Sequence, residues 1–326
     1  ERDPYGRFPM EASLAFREGF LLRPIINEYL EIFWHQLVSL WPGLQRKPRQ
    51  FKTVLSHDVD YPFSQLGIDF SRLLLSCGAD ILKRRSPESA LKRFNAWQAV
   101  NKGDYRQDFY YTFDRLMDIS EKNNLKSTFY FMTACTDPDY DQPYDISHPY
   151  LRRLLRDIAD RGHEIGLHPS FGTYQDARQT KAEFHHLLKV CAGEGIRQDI
   201  WGGRQHFLRW QAATTWRNWS EAGLDYDSTL TFPEHAGFRC GTCFDYPVYD
   251  LKQRRGMSLM ERPLIVMEES VIRQDLMGLK GSDIFDFINC LKQTCRKYNG
   301  DFTLLWHNST LVGEELWQLY ENLLSV

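Results

Sequence analysis

Apolar residues recur at helical spacing over positions 25–40, and Trp41-Pro42-Gly43 ends the pattern. A polar lead-in then gives way to a short apolar run at 51–55, which predicts a buried strand. From about residue 109 the chain becomes regular. Helical patterns cover 113–120, 150–161, 176–193, 211–222 and 282–298, several of them closed by glycine (Gly162, Gly223, Gly300). Strand-like runs fall at 127–132, 164–168, 199–202, 226–232, 264–268 and 302–306. Short apolar strands alternating with helices of 10–18 residues predict parallel β/α units. No glycine-rich phosphate loop follows the first strand, so a barrel of seven strands is expected over an open dinucleotide-binding sheet. No internal repeat is evident.

Two segments stand outside this alternation. Residues 1–50 read as an N-terminal helical extension, leaving 51–326 as the barrel. Residues 62–108 read as a helical insertion after the first strand. They carry basic clusters at Lys83-Arg84-Arg85 and Lys92-Arg93. A solvated basic face is the plain reading, and a surface that meets an acidic polymer is the sharper one.

Composition narrows the class. The 326 residues are 42% hydrophobic and 25% charged, which excludes disordered, collagen-like and coiled-coil chains. Forty basic residues against 43 acidic ones leave a net charge of -3, giving no general electrostatic reason to bind nucleic acid or an anionic membrane. No apolar run approaches the ~20 residues of a membrane span. The first residues carry no apolar leader, which favours a cytoplasmic location. Seven scattered cysteines argue against a disulfide framework, and Cys240 and Cys243 form a lone CxxC without the second pair of a zinc ribbon. The unusual figure is 14% aromatic residues.

In a β/α barrel, chemistry sits where strands end. Ser56-His57-Asp58-Val59-Asp60 closes the first predicted strand and His168-Pro169-Ser170 the third. Arg204-Gln205-His206 follows the fourth, Asp225 to Thr229 falls on the fifth, and His307-Asn308 follows the last. Side chains alternate along a strand, so Asp58 and Asp60 share a face and His57 points away. Two such carboxylates repel unless a divalent cation and a nearby histidine resolve the charge. His168 lies nearer its strand end than His163, which reads as a core or helix-end residue. His185 and His186 read as exposed helix positions.

These strand ends resemble the motifs of the polysaccharide deacetylase family, the NodB-homology group of carbohydrate esterase family four. SHDVD (56–60), GHEIGLHPS (162–170), GGRQHFLRW (202–210), DYDST (225–229) and LLWHN (304–308) occur in the family's motif order. The resemblance spans about residues 51–312. It implies a distorted (β/α)7 barrel that hydrolyses acetyl groups on sugars with a bound divalent metal, zinc first among candidates. It implies Asp58 as general base, Asp60 and His168 as metal ligands, Arg204 as the brace of the base and His307 as general acid. Asp227 is expected to orient His307. The family's second motif normally supplies a second histidine four residues on, where this chain has Gly172. His206 is the best substitute as third ligand; a water or other oxygen ligand, or loss of the metal, are the rivals. The expected partner is a carbohydrate. Hydrolysis of a different C–N bond and an inactive sugar-binding module are the alternatives to deacetylation. Phe171, Tyr174, Phe207, Trp210, Phe232 and Trp306 are the expected groove aromatics, since sugar rings stack on aromatic faces.

Overall fold

The computed structural model describes residues 1–212 and 214–325. Position 213, inside the predicted helix 211–222, and position 326, the end of the predicted barrel segment, lie outside the described residues. The chain opens with α1 (Leu14–Arg17) and α2 (Ile25–Leu40), then β1 (Lys52–Val59), α3 (Phe70–Leu82), α4 (Pro87–Asn101) and α5 (Phe113–Lys122). There follow β2 (Ser127–Phe131), α6 (Pro149–Asp160), β3 (Glu164–Leu167), α7 (Ala177–Gly193), β4 (Gly202–Gly203), α8 (Thr215–Ala222) and β5 (Tyr226–Asp227). The remainder is β6 (Tyr246–Asp250), β7 (Arg255–Glu261), β8 (Val266–Met267), α9 (Glu268–Ile272), α10 (Ser282–Lys297), β9 (Asp301–Leu305) and α11 (Glu314–Ser325).

The fold is α/β. One sheet in the order β6-β7-β5-β4-β3-β2-β1-β9-β8 curls into a half-barrel. All its pairings are parallel except β6 with β7. Two strands more than the predicted seven arise from the β6–β7 hairpin. The pattern missed it because β7 reads RGMSLME, with apolar residues too sparse to mark a strand. The predicted strand 226–232 stops after Asp227, whose carboxylate turns back to bond Thr229 N (3.0 Å) and ends the ladder.

Helices α5, α6, α7, α10 and α11 cover the outer face through one apolar core. In it Phe113, Leu151, Leu154, Leu187, Ile288 and Tyr320 pack against Leu55, Phe129, Phe131, Leu167 and Leu304 of the strands. The inner face is narrow. Tyr130 and Tyr226 meet across it at 3.2 Å (OH to OH), and β4 is two glycines. A Cβ on Gly203 would sit 1.9 Å from Leu167 O, and one on Gly202 would enter the Tyr226 ring. The strands approach this closely only without side chains there. Gly203→Ala is therefore expected to cost at least about 4 kcal/mol of stability in a urea titration, the range of severe core lesions. Gly256→Ala on β7, with nothing within 4 Å of its Cβ, should leave the midpoint near wild type.

The first 27 residues pack on the barrel. Phe238 N donates to Leu21 O (2.8 Å), Ile26 N to Gly241 O (2.8 Å) and Cys243 N to Asn27 Oδ1 (3.2 Å). Met10 and Leu21 form a small apolar cluster with Phe232.

Candidate functional site

Strand β1 delivers its residues to two faces, as its parity requires. His57 points outward, stacked on Phe129 with ring centroids 4.8 Å apart. Its Nδ1 donates to Trp306 O (2.7 Å) and its Nε2 accepts from Ser127 Oγ (3.0 Å), while burial holds its pKa down at about 4. It is a structural residue. Asp58 points inward and is buried. Arg204, directly after β4, reaches across the curled sheet and donates to Asp58 Oδ1 (2.7 Å), Ser56 Oγ (2.9 Å), Ser228 O (2.9 Å) and Ser228 Oγ (3.1 Å). The guanidinium also covers the Tyr130 ring at 5.0 Å. A buried ion pair is tolerated when its remaining donors are satisfied in this way.

Asp60 lies one turn of the pleat further, at the mouth. Its Oδ1 is 3.1 Å from His168 Nε2 and 3.8 Å from His206 Nε2, and its Oδ2 is 3.8 Å from His307 Nε2. The other ring nitrogens fix the tautomers. His168 Nδ1 lies 2.6 Å from Arg204 O, an acceptor only, so Nδ1 carries the hydrogen. His206 Nδ1 lies 2.9 Å from Asp141 Oδ1 and carries one too. When these rings are neutral, both Nε2 atoms present lone pairs to Asp60 Oδ1, a buried oxygen with no hydrogen-bond partner. Acceptors facing each other must share a proton or a cation. The protein's own charges show the same demand. Burial disfavours charge on His168, yet Asp58 and Asp60 outweigh it and raise its pKa. Burial likewise opposes ionisation of Asp60, but His168, His206 and His307 pull its pKa well below the usual range.

Asp60, His168 and His206 offer one ligand atom each, all within 4.8 Å of one another. One carboxylate oxygen and two imidazole nitrogens, each imidazole held through its far nitrogen, fit a divalent first-row cation such as zinc. The site is thus able to hold the metal, with His206 in the third position that Gly172 cannot fill. Gly172 instead donates its N–H to Thr136 Oγ1 (2.8 Å).

His206 is positioned by an unusual turn. Phe207 and Leu208 both have positive φ (57° and 54°), a left-handed pair costly for such side chains. Arg7 donates to Phe207 O (3.2 Å) and pairs with Asp3 (2.6 Å), while Arg209 Nε donates to Tyr5 O (2.8 Å). The N-terminal residues therefore brace the turn that carries His206. Asp141 holds the imidazole and accepts from Phe171 N (2.7 Å), Thr136 N (2.8 Å) and Asp137 N (3.0 Å). Burial would raise its pKa, but these donors and His206 bring it to about 2.

His307 is not held by the expected residue. Asp227 was expected to orient it, but Asp227 bonds Thr229, whose hydroxyl accepts from Gln205 N (2.9 Å). Its carboxylate thus supports the loop bearing Arg204. It faces Glu261 across the β5–β7 pairing; burial raises both pKa values, and repulsion by Asp227 raises that of Glu261 further. The residue that holds His307 is Glu268, at the start of α9. Its Oε1 accepts from His307 Nδ1 (2.8 Å), His307 N (2.8 Å) and Thr310 Oγ1 (2.9 Å). Burial works against an imidazolium here, yet Glu268, Asp60 and Asp58 raise the pKa of His307 well above its ordinary value.

The missed residues differ in their signals. Glu268 directly follows β8, so the same scan of strand ends could have found it. Asp141 lies ten residues past β2, in a loop without periodicity. Tyr5 and Arg7 carry no sequence signal at all.

A pocket of about 420 Å³ opens over these groups, with Tyr5, Tyr61, Tyr140 and Phe207 on its walls. Of the six expected groove aromatics, only Phe207 lines it. Trp306 and Phe232 are core, Trp306 packing against Tyr320 with ring centroids 5.3 Å apart. Phe171 stacks beneath Tyr140 at 4.2 Å, Tyr174 lies against the Arg209 guanidinium and Trp210 packs on Trp216. His163 accepts from Ser127 N (3.0 Å) inside the fold. His186 is half-buried against Thr133 O (3.2 Å), contrary to the expected exposure; His185 is exposed. A larger cleft of about 640 Å³ lies at the opposite ends of the strands, lined by Glu164, Asp245, Arg262 and Asp301 and away from the histidines.

The half-barrel α/β fold carries an Asp–His–His set at the C-terminal ends of its strands. A solved structure from Mycobacterium smegmatis, described as a candidate polysaccharide deacetylase, superposes with a TM-score of 0.52 over 86% of this chain and 85% of that one, at 15% identity. That likeness establishes the fold. A Pseudomonas aeruginosa PAO1 structure described in similar terms (TM-score 0.48, 12% identity, 86% of this chain and 88% of that one) and an allantoinase (0.44, 12%, 86% and 87%) are more distant. Residues 1–42 match a family of unknown function, DUF7033. No curated protein matches the sequence.

Proposed function

We propose that the chain is a metal-dependent hydrolase that removes an acetyl group from an N-acetylated sugar of a surface glycan or its precursor. The observation that carries this reading is the convergence of a carboxylate held by Arg204, Asp58, and an imidazole held by Glu268, His307, beside the Asp60–His168–His206 set. Asp60, His168 and His206 would hold the cation, zinc by preference for this donor set. When bound, such an ion acidifies water and polarises a carbonyl. Asp58, fixed by Arg204, accepts the water proton. His307, kept cationic by Glu268, gives a proton to the departing nitrogen. Asp227 supports Arg204 through Thr229 and Gln205 and does not touch the reacting atoms. A module that only binds sugar needs neither base nor acid, so retention of both supports an enzyme.

The carbohydrate assignment rests on the tyrosines and Phe207 at the pocket wall, which offer flat faces to a pyranose ring. Acetate release from a panel of N-acetylated and O-acetylated sugars, with chelator and with added zinc, tests the reading. The panel includes small and cyclic amides, the substrates of the alternative C–N hydrolase reading. We expect zinc-dependent release from an N-acetyl sugar. Release only from a non-sugar amide would move the assignment to another C–N hydrolase, and sugar binding without turnover would make it a binding module.

A further inference from the structure

The insertion after β1 is an inverted amphipathic hairpin. A surface helix normally turns its apolar stripe to the core. In α3, at 3.6 residues per turn, Phe70, Leu74, Leu75, Gly78, Ile81 and Leu82 fall within an arc of roughly 140°. That arc faces solvent, with Leu75 at 75% and Leu82 at 81% exposure. The opposite side holds Asp80, which is buried and bonded to Arg84 and Arg93. Helix α4 adds a further exposed leucine, Leu91.

The charge on this hairpin is opposite to that of the whole chain. Residues 69–102 contain seven Lys and Arg against three Asp and Glu, a net +4, while the chain carries -3. Lys83 and Arg85 follow directly on Leu82, and among the described residues neither has a carboxylate within salt-bridge distance. The overall balance gave no reason to expect an anionic membrane as partner; the local distribution does.

We propose that the α3–α4 hairpin docks on an anionic lipid bilayer. Leucine side chains enter the headgroup–acyl boundary, and long basic side chains reach the phosphates around them. A soluble acidic polymer would use the charges but leave the leucines in water. A second copy of this chain would cover the leucines but bring Lys83, Arg85 and Lys92 against like charges. Only an anionic apolar surface satisfies both features.

The hairpin is tied to the pocket mouth. Asp108 closes its base by accepting from Ser64 N (2.7 Å) and Gln65 N (2.7 Å). Asn308, next to His307, donates to Tyr61 O (2.9 Å) and Tyr110 O (3.0 Å) on the two flanks of the insertion. Docking through the leucines would therefore hold the pocket close to the bilayer surface.

Co-sedimentation with vesicles tests this, using phosphatidylcholine alone and phosphatidylcholine mixed with phosphatidylglycerol. The intact chain is expected to pellet with the mixed vesicles and not the neutral ones, with binding weakened by salt. A Leu74→Ser, Leu75→Ser, Leu82→Ser variant should bind at least about tenfold more weakly. A Lys83→Glu, Arg85→Glu variant should lose the preference for anionic lipid. These positions are exposed, so melting curves should match wild type. Absence of binding to mixed vesicles, or equal binding by the leucine variant, would overturn the proposal. So would a dimer in ultracentrifugation that the leucine variant dissolves.

Discussion

Asp58→Asn lowers turnover by about a thousandfold, within the range a lost general base costs, while zinc content stays unchanged. The asparagine still offers Arg204 Nη1 an oxygen at the position of the 2.7 Å bond, so the arginine keeps a partner. Loss of the carboxylate charge nevertheless leaves a buried guanidinium without its counterion, a situation that costs up to about 3–5 kcal/mol when uncompensated. The experiment therefore needs three readings on one preparation: acetate release, bound zinc by elemental analysis and the denaturation midpoint. Normal zinc and a folded protein with turnover near zero assigns the proton transfer to Asp58. Near-normal turnover would remove it from the mechanism. A collapse of folding alone would show that the pair acts on stability, and Asp58→Glu, which keeps the charge and displaces it, then separates the two roles.

His206→Ala weakens zinc binding by more than about a hundredfold, and Asp141→Asn by about ten- to a hundredfold. The first removes one of three ligand atoms. The second leaves the ring in place but takes the charge from the carboxylate that orients it at 2.9 Å. Competition with a chelator of known affinity measures both without recourse to activity. Equal affinity of His206→Ala and wild type would show that His206 is no ligand, and an oxygen ligand would take the third position. The ordering of the two variants matters as much as their size, since Asp141 acts on the metal only through the His206 ring and Asp141→Asn should cost no more than His206→Ala.

The helices and the strand ends were legible in the sequence because each leaves a local mark. Apolar spacing and the glycine stops bounded α2 and α7 to within a residue of the prediction. Strand parity alone separated inward Asp58 and Asp60 from outward His57. Weaker marks misled. The predicted strand at 226–232 was apolar enough to continue, but the Asp227 carboxylate competed for the backbone and stopped it. Trp306 sits beside His307 in sequence, and strand alternation sends it into the core against Tyr320.

The sequence by itself determined which residue types the strands bring to their C-terminal ends, and it pointed to a divalent cation as one way to resolve their charge. Tertiary structure decided which of those residues meet. His206 joins Asp60 and His168 through a strained turn braced by Arg7, some 200 positions away in the chain. Glu268 displaces Asp227 as the partner of His307, because β8 lies beside β9 in the sheet while β5 lies on the far side of β1. The leucines of α3 had the spacing of a core helix, and only the packed fold shows that this face meets solvent. In each case the deciding quantity is a distance between segments remote in sequence. Local periodicity reports the conformation of one segment and is silent on its neighbours.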